Sequence, residues 1–394
     1  MPSLRFHLTV NDLSATHLKN INSLTDRFLK KWSGLPHPAT LAFLHMKSGL
    51  NIKSIYDIYM ECHKKIGDRK VNHCIDSQLN REKEWTRKQS AIVNADNILS
   101  KIEESNPNSS LKQQKSQAKD LLQKNTSEFW HSHVKSLVVQ GRFLDLLASE
   151  NSNFNWKSIA YNLPSRICKF LINSVSDTLN TRANLHRWGR CQNTKCKGCG
   201  NHETLHHVLN NCTKFLNQGR YTWRHNNILS HILKTLTSNI SAQFKVFCDL
   251  EGHRLTNTTI PTSCIVTNLI PDLCIYSNEN NVQSLTVVEL TVPFELNAES
   301  AHTRKVEKYA SLMNDLEANG VESEFIAVEI GSRGYINCDN SKRLQNILRL
   351  CDSKVSFKDF KNCLSKLAIL SSYVIYHAKD EPSWDENIPL LSVS

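Results

Sequence analysis

The sequence predicts an α+β protein of several domains, with an all-α N-terminal half and a mixed α/β unit in the last third. Up to about residue 240, apolar residues recur at spacings of three and four, which is the period of an amphipathic helix. After residue 240, short β-branched runs are combined with helical stretches, and this combination indicates a mixed sheet. Near the end of the first part lies a segment rich in cysteine and histidine, residues 191–212, which predicts a small zinc knuckle.

Length and composition limit the class of protein. The chain has 394 residues, of which 40% are hydrophobic and 22% charged, so we expect a globular protein with room for more than one domain. No apolar run approaches the roughly 18 residues of a membrane span, and the N-terminus lacks the apolar stretch of a signal peptide. We therefore expect neither a membrane protein nor a secreted one. The thirteen cysteines then favour thiols and metal ligands over disulfides.

The helical half is predicted element by element. Residues 8–32 have the apolar spacing of one or two helices, and a segment with glycine and two prolines, 33–38, ends them. Residues 53–104 also have a helical, highly charged pattern, whereas 105–117 is the most linker-like stretch. Helical periodicity returns over about 128–185, with an interruption at Leu163-Pro164, and a further helix is predicted over 227–237.

The last third combines both periodicities. Strands are predicted at 270–276, 285–292 and 323–330, with a helix over 298–318 between the second and third strands. Two more helices are predicted at 341–350 and 357–370. The order strand, strand, helix, strand, helix within one unit indicates a central mixed sheet.

The positive charge is concentrated in the middle of the chain. Residues 151–240 contain 12 Lys and Arg but only two acids, Asp177 and Glu203, whereas residues 241–394 carry a net charge of −6. A dense basic segment attracts phosphate backbones and gains free energy from counterion release. DNA and RNA are therefore the expected partners of the middle segment, and acids in the last third should act as metal ligands if that part acts on DNA.

A cysteine–histidine cluster has the spacing C-x2-C-x7-H-x4-C, formed by Cys196, Cys199, His207 and Cys212. Three sulfurs and one nitrogen suit tetrahedral Zn2+, and the ion would stabilise a segment that has too little apolar material to fold alone. His206 is an alternative nitrogen ligand, and Cys191 could replace one thiolate. Side chains around the cluster are expected to contact phosphates or to stack on bases, although both tryptophans could instead be buried: Arg187, Trp188, Arg190, Lys195, Lys197, Arg220, Trp223 and Arg224.

Two acids are predicted to face each other across a hairpin. In an antiparallel pair the residue numbers of opposed positions have a constant sum, and pairing Asp272 with Glu289 centres the turn between Asn280 and Asn281. Their side chains would then lie on one face with Cβ atoms about 5 Å apart. Such a pair repels unless a cation intervenes, and Mg2+ or Mn2+ with oxygen ligands would relieve the repulsion. A register slip of one or two residues is the alternative.

A lysine near this pair would orient the attacking water. None stands two residues after Glu289, where the sequence has Thr291, but the helix that follows supplies Lys305, Lys308 and Tyr309. Lys305 and Tyr309 are four residues apart and share a helix face. Asp272, Glu289 and Lys305 therefore form a candidate hydrolytic set. The alternative is a partly exposed strand glutamate beside a solvated helix face.

These residues together resemble the C-terminal part of a non-LTR, LINE-type retrotransposon polyprotein. The zinc-knuckle sequence and the segment 219–225 resemble the region behind the reverse transcriptase, in the group that carries a restriction-enzyme-like endonuclease. The segments 271–272, 288–295 and 305–309 match that endonuclease in order, and residues 24–36 look like the end of the polymerase thumb. The resemblance implies four segments: a thumb-like remnant (1–60), a helical linker region (61–190), a CCHC knuckle with a basic helix (191–240) and a restriction-endonuclease-like domain (241–394).

The resemblance also implies an activity. The endonuclease of that family nicks one DNA strand, and the freed 3′ end primes reverse transcription. By this resemblance Asp272 and Glu289 bind the metal in a PD-(D/E)xK-type site, Lys305 is a displaced catalytic lysine with Lys308 as its alternative, and Tyr309 is accessory. Polymerase fingers, palm and a YxDD motif are absent from the sequence, and Ile270 replaces the basic residue that often precedes the Pro-Asp pair.

We therefore expect no polymerase activity from the chain itself, which begins like a truncated copy, and a reverse transcriptase could be supplied separately. No small-molecule cofactor and no membrane partner are expected, and the DNA substrate suggests the nucleus. The rival interpretations are a non-catalytic nucleic-acid-binding remnant and a protein-interaction module whose zinc only holds helices together.

Overall fold

A computed structural model describes residues 7–8, 13–59, 111–238, 240–241, 243–255, 257–279, 282–350 and 355–385. The chain divides into two compact units, Met1–Asp145 and Leu146–Ser394. The zinc-ligand segment and the candidate acidic residues both lie in the second unit. The predicted division into four segments remains a prediction.

The first unit is helical where it is described. Helix α1 spans Ala15–Trp32, α2 spans Ala42–His45 and α3 spans Leu111–Ser136. Helix α1 begins at Ser14, whose hydroxyl accepts the N–H of His17, a common N-terminal cap. The helix predicted within 8–32 is thus confirmed from residue 15, whereas most of the predicted helical stretch 53–104 lies outside the described residues. Residues 111–117 belong to α3, so the predicted linker over 105–117 is wrong for that part.

The helices of the second unit surround the zinc-ligand segment and a sheet. Their bounds are α4 Arg142–Ala148 (which starts in the first unit), α5 Trp156–Tyr161, α6 Ser165–Val175, α7 Arg182–Arg187, α8 Thr213–Asn217, α9 Arg220–Thr237, α10 Ala298–Ala318, α11 Cys338–Leu350 and α12 Phe357–His377. The break predicted at Leu163-Pro164 separates α5 from α6, and the helix predicted over 298–318 is confirmed at both ends. Among the described residues, no helix combines the length and the apolar character needed to cross a bilayer.

The sheet has four strands in the order β1-β2-β3-β4: Phe244–Cys248, Leu273–Glu279, Val282–Thr291 and Glu322–Glu329. The first three strands are antiparallel, and β4 joins β3 in parallel after the crossover helix α10. The sheet is therefore mixed, as predicted, and the α+β class is confirmed. Strand β1 was not predicted, because it is a short edge strand whose Lys245 is exposed.

The register of the β2–β3 hairpin is the predicted one. Leu273 pairs with Val288 and Glu279 with Val282, so Asp272, just before β2, lies next to Glu289. The predicted turn residues Asn280 and Asn281 lie outside the described residues.

The sheet is covered on both faces. One face packs on α9, α11 and α12 through buried aliphatic side chains such as Ile228, Leu344 and Leu364. The other face carries Cys274 and Val287 and packs on α10 through Tyr309 and Leu312. Side chains alternate along a strand, so Glu289 shares the α10 face with Val287. The lysines of α10 are thereby brought over the acidic pair.

Candidate functional site

The zinc-ligand segment brings its four predicted ligand atoms together. Those of Cys196, Cys199, His207 and Cys212 all lie within 4.8 Å of one another. The Cys196 and Cys212 sulfurs are 4.0 Å apart, those of Cys199 and Cys212 are 3.7 Å apart, and Cys199 Sγ is 3.3 Å from His207 Nε2. Zinc bonds of about 2.3 Å to sulfur in a tetrahedron separate two sulfurs by about 3.8 Å. The four residues therefore fit structural Zn2+.

Local structure explains how these ligands converge. Lys195 and His202 form an isolated antiparallel bridge, so residues 196–201 turn back tightly and present both cysteines of the CxxC pair. Gly200 has a positive φ of 77°, which a residue with a side chain rarely adopts. A π-helical turn, His207–Asn211, then places His207 and Cys212 on the same side.

The alternative ligands are engaged elsewhere. His206 Nε2 lies 3.2 Å from Asn297 Nδ2, and its ring packs on Phe294. The Cys191 thiol donates to the Asn193 carbonyl at 3.0 Å. Within the described residues, the cluster therefore contains His207 and includes neither His206 nor Cys191.

The electrostatics of the cluster also call for a cation. Burial raises the pKa of the Cys212 thiol to about 12. A buried thiol with such a pKa becomes a ligand thiolate only when a positive charge compensates it, and a bound zinc ion supplies that charge.

Two of the residues predicted to bind nucleic acid are buried, which corrects the sequence interpretation. The guanidinium of Arg220 donates to the Ala378 and Glu381 carbonyls, and its plane lies over Phe215. Arg224 is 1% exposed and donates to the Leu209 and Val292 carbonyls, and burial lowers its pKa to about 10. Both arginines satisfy main-chain carbonyls inside the unit, so neither can contact a phosphate.

The other predicted contacts differ in their exposure. Arg187, Arg190 and Lys195 are exposed, whereas Lys197 is exposed but lies 3.4 Å from Asp380. Trp188 is half-buried, with Arg190 5.9 Å from its ring centre.

Trp223, also half-buried, makes an edge contact with Trp384. The accessible part of the predicted nucleic-acid surface is therefore centred on the two exposed arginines and Lys195.

The acidic site lies where β2 begins and β3 ends. The Asp272 N–H donates to Glu289 Oε2 at 3.0 Å, and the Leu290 N–H donates to Asp272 Oδ2 at 2.7 Å. Both carboxylates are buried, with residue exposures of 9% and 2%. His225 of α9 adds a contact that sequence reasoning missed, because its Nε2 lies 3.3 Å from Asp272 Oδ2. In the sequence, His225 belongs to the segment 219–225 that carries the resemblance, and no role was predicted for it.

The pKa values of the two acids are shifted in opposite directions. Burial would raise the pKa of Asp272, but the hydrogen bond and positive charge of His225 outweigh it and lower that pKa. Burial and the neighbouring Asp272 carboxylate raise the pKa of Glu289, despite the Lys305 ammonium. Burial alone would lower the pKa of His225, and the Asp272 carboxylate reverses that effect and raises it.

Helix α10 brings its three predicted residues to the same place. Lys305 Nζ contacts Glu289 Oε1 directly, while Lys308 Nζ is 3.8 Å from the same oxygen and 3.0 Å from the Tyr309 hydroxyl. Tyr309 is fully buried, and its hydroxyl donates to the Ile270 carbonyl, two residues before Asp272. The carboxylates of Asp272 and Glu289 and the ammonium groups of Lys305 and Lys308 therefore lie together where β3 ends. The Tyr309 hydroxyl contacts the main chain just before Asp272.

Comparison with known proteins bears on the zinc-ligand segment. Residues 140–217 match a family model described as zinc-binding in reverse transcriptase. No curated protein matches the chain. The match and the Cys/His cluster together support a zinc-binding segment related to the reverse transcriptases of retrotransposons. The matched region begins 56 residues before Cys196, the first cysteine ligand, so it also includes helices α4 to α7.

Proposed function

We propose that this chain is a retrotransposon-derived, divalent-metal-dependent DNA-nicking module, joined to a zinc-stabilised segment that binds nucleic acid. In this proposal the last third is a restriction-endonuclease-like domain of a LINE-type element, and it acts on DNA in the nucleus. The observation that carries the proposal is the burial of Asp272 beside Glu289 with Lys305 on the second acid. Acids are seldom buried unless they are paired, and buried acids with perturbed pKa values cluster at functional sites.

The contacts support a ligand role for both acids. Asp272 Oδ2 is held by the Leu290 N–H and by His225, whereas Oδ1 has no hydrogen-bond partner within the described part of the chain. Glu289 is oriented through Oε2 by the main chain of Asp272. A divalent ion held here would polarise a phosphodiester and lower the pKa of an attacking water. Lys305 is placed to orient that water and to offset developing charge, with Lys308 as the more exposed alternative.

The exposed basic side chains within and just before the zinc-ligand segment would bind the DNA substrate. Arg187, Arg190 and Lys195 belong to a segment with a large excess of positive charge, and phosphate contacts of this kind bind without sequence preference. If the acidic site is inactive, these residues alone would make the chain a nucleic-acid-binding remnant, which is the second candidate function.

Nicking of supercoiled plasmid with Mg2+ or Mn2+ tests the proposal. We expect the wild-type chain to nick, and Asp272→Asn and Glu289→Gln to lose about 100-fold of the rate, because each removes one negative charge from the oxygen ligands of the ion. Glu279→Gln is the matched control, since Glu279 is an exposed acid of the same hairpin. Equal nicking by Asp272→Asn and wild type would exclude the site. Salt-dependent binding without cleavage by any variant would favour the remnant.

A further inference from the structure

One helix connects the zinc knuckle to the acidic site. Helix α9 begins at Arg220, eight residues after the last zinc ligand, and Gly219 before it has a positive φ of 70°. Its apolar side chains, including Ile228, Leu229 and Ile232, are buried against the sheet. The C-terminal part of the helix is therefore packed against the sheet, and its N-terminal end lies close to the last zinc ligand.

The knuckle side of this connection runs through Tyr221 and Arg224. The Tyr221 hydroxyl accepts the Cys212 N–H at 3.0 Å and lies 3.1 Å from the Val208 carbonyl. Arg224 Nη1 donates to the Leu209 carbonyl at 2.9 Å. These three main-chain positions all belong to the turn that carries His207 and Cys212, so α9 contacts the turn that carries two of the candidate zinc ligands.

On the side of the sheet, the connection consists of contacts made by Arg224 and its neighbour His225. Arg224 Nη2 donates at 3.1 Å to the carbonyl of Val292, three residues after Glu289, and Asn210 of the knuckle donates at 2.8 Å to the same carbonyl. His225 then contacts Asp272 Oδ2 at 3.3 Å. Arg224 and His225, which are consecutive, thus both contact the segments that carry the two acids. Within the described residues, no carboxylate forms an ion pair with Arg224.

We propose that α9 makes divalent-cation binding at Asp272 and Glu289 depend on the zinc knuckle, with His225 as the positioning residue of Asp272 and Arg224 as the link to the knuckle turn. His225 occupies Oδ2 together with the Leu290 N–H and so leaves Oδ1 for the cation. This inference rests on the proposed function, because it assumes that the two acids bind a cation. Partners of this kind around a ligand typically change metal affinity 10- to 100-fold when they are removed.

Mn2+ affinity measured by calorimetry on the zinc-loaded full chain tests the positioning role. We expect His225→Leu to weaken Mn2+ binding about tenfold and His225→Gln to recover part of the loss, because glutamine keeps a donor. His231→Leu is the matched control, since His231 lies on the same helix, half-buried, and stacks on Phe360. Its Mn2+ affinity should equal that of wild type. A purely structural histidine would lower the melting temperature without this Mn2+ effect or its recovery by glutamine.

The link to zinc is tested in the opposite direction, because thermodynamic coupling between two sites is reciprocal. At Mn2+ concentrations that saturate each protein, Mn2+ should raise the zinc affinity of the wild-type chain, measured as a shift in the equilibrium transfer of zinc to a zinc-selective chelator, and this shift should disappear in Arg224→Met and His225→Leu. The replacement of a buried arginine could prevent folding, and the His225 variant, which alters a partly exposed side chain, then decides the question alone.

The outcomes separate the two proposals. If Asp272→Asn abolishes Mn2+ binding but His225→Leu binds as wild type does, the positioning role is wrong and the proposed function stands. If Mn2+ leaves zinc transfer unchanged in the wild type, the coupling to the knuckle is wrong. If Asp272→Asn itself binds Mn2+ normally, the proposed function fails and this inference fails with it.

Discussion

The backbone N–H of Asp272 donates to Oε2 of Glu289 at 3.0 Å, so the main chain of one acid orients the side chain of the other. The next residue of β3, Leu290, returns a bond from its own N–H to Asp272 Oδ2. Each carboxylate therefore accepts, through one of its oxygens, a hydrogen bond from a main-chain N–H of the opposite segment. Such mutual bonding keeps two like charges together at the strand end where a cation would bind them.

The two lysines of α10 should separate in function. Lys305→Met is expected to slow Mg2+-dependent nicking about 100-fold while leaving Mn2+ affinity equal or higher, because an ammonium group that competes for Glu289 is removed. Lys308→Met should have a smaller effect, because Lys308 is 3.8 Å from that oxygen and its side chain is 44% exposed. Single-turnover nicking rates and calorimetric Mn2+ titrations measure both. A larger loss of rate in Lys308→Met would reverse the assignment.

Zinc content should follow the ligand geometry. We expect one zinc per chain in the wild type, in Cys191→Ser and in His206→Gln, and a loss of zinc in His207→Gln, because only the last variant removes a ligand of the cluster. Elemental analysis after gel filtration measures the stoichiometry. His206→Gln and His207→Gln change adjacent residues and serve as controls for each other. Retention of zinc by His207→Gln together with its loss in His206→Gln would show that His206 is the ligand.

Nucleic-acid binding should depend on the exposed cations. Arg187→Ala and Lys195→Ala are each expected to weaken binding of duplex DNA and to reduce the slope of log K against log salt by about one, as for a lost phosphate contact. Lys197→Ala should change the slope less, because Asp380 already pairs with that ammonium group. Fluorescence anisotropy at several salt concentrations provides the slopes. Unchanged slopes in the first two variants would remove these residues from the binding surface.

The first unit should lose stability as the pH rises through the pKa of His45. His45 Nε2 is 3.1 Å from Asp26 Oδ1, and its Nδ1 is 2.7 Å from the Ile52 carbonyl. Burial would lower the pKa of His45, but these hydrogen bonds and the Asp26 charge raise it above the usual 6.5. A raised pKa in the folded state contributes stability that is fully present below about 6.5 and is lost as the pH rises through the folded value.

Urea unfolding between pH 5 and 9 measures this effect. His45→Gln should remove the part of the pH dependence that lies above 6.5, and it should cost about 2 kcal/mol at pH 6, because it replaces a charged hydrogen bond in a buried site. His37→Gln, on a histidine that the structure leaves exposed, is the control. The same pH dependence in His45→Gln and wild type would show that another group is responsible.

The hairpin and its crossover helix could be predicted because local patterns determine them. Alternation and the turn-rich segment between the strands set the register that pairs Leu273 with Val288, and helical periodicity set both ends of α10. The zinc ligands followed from spacing alone, although the choice between His206 and His207 needed the π-helical turn. A π-turn shifts the facing of side chains by one residue, and sequence periodicity does not reveal such a shift.

The burial of two basic side chains could not be predicted from the sequence. Arg220 and Arg224 belong to the most positive segment, which indicates a surface, yet both are buried against carbonyls from distant parts of the chain, such as Ala378 and Val292. Hydrogen bonds to main-chain carbonyls have no signature in residue identity, because every residue offers the same acceptor. The contact of His225 with Asp272 joins two side chains 47 positions apart in the chain, and no local sequence pattern indicates a pairing at that separation.

The lysine that touches Glu289 comes from α10 and not from β3, where Thr291 stands two residues after the acid. A parallel crossover must bring its helix back over the sheet, so an ammonium group on that helix can reach a point that a strand residue would otherwise occupy. Searches that demand a fixed interval between acid and base along the chain will overlook proteins built this way. A template defined by the positions of charged atoms in space would recognise them.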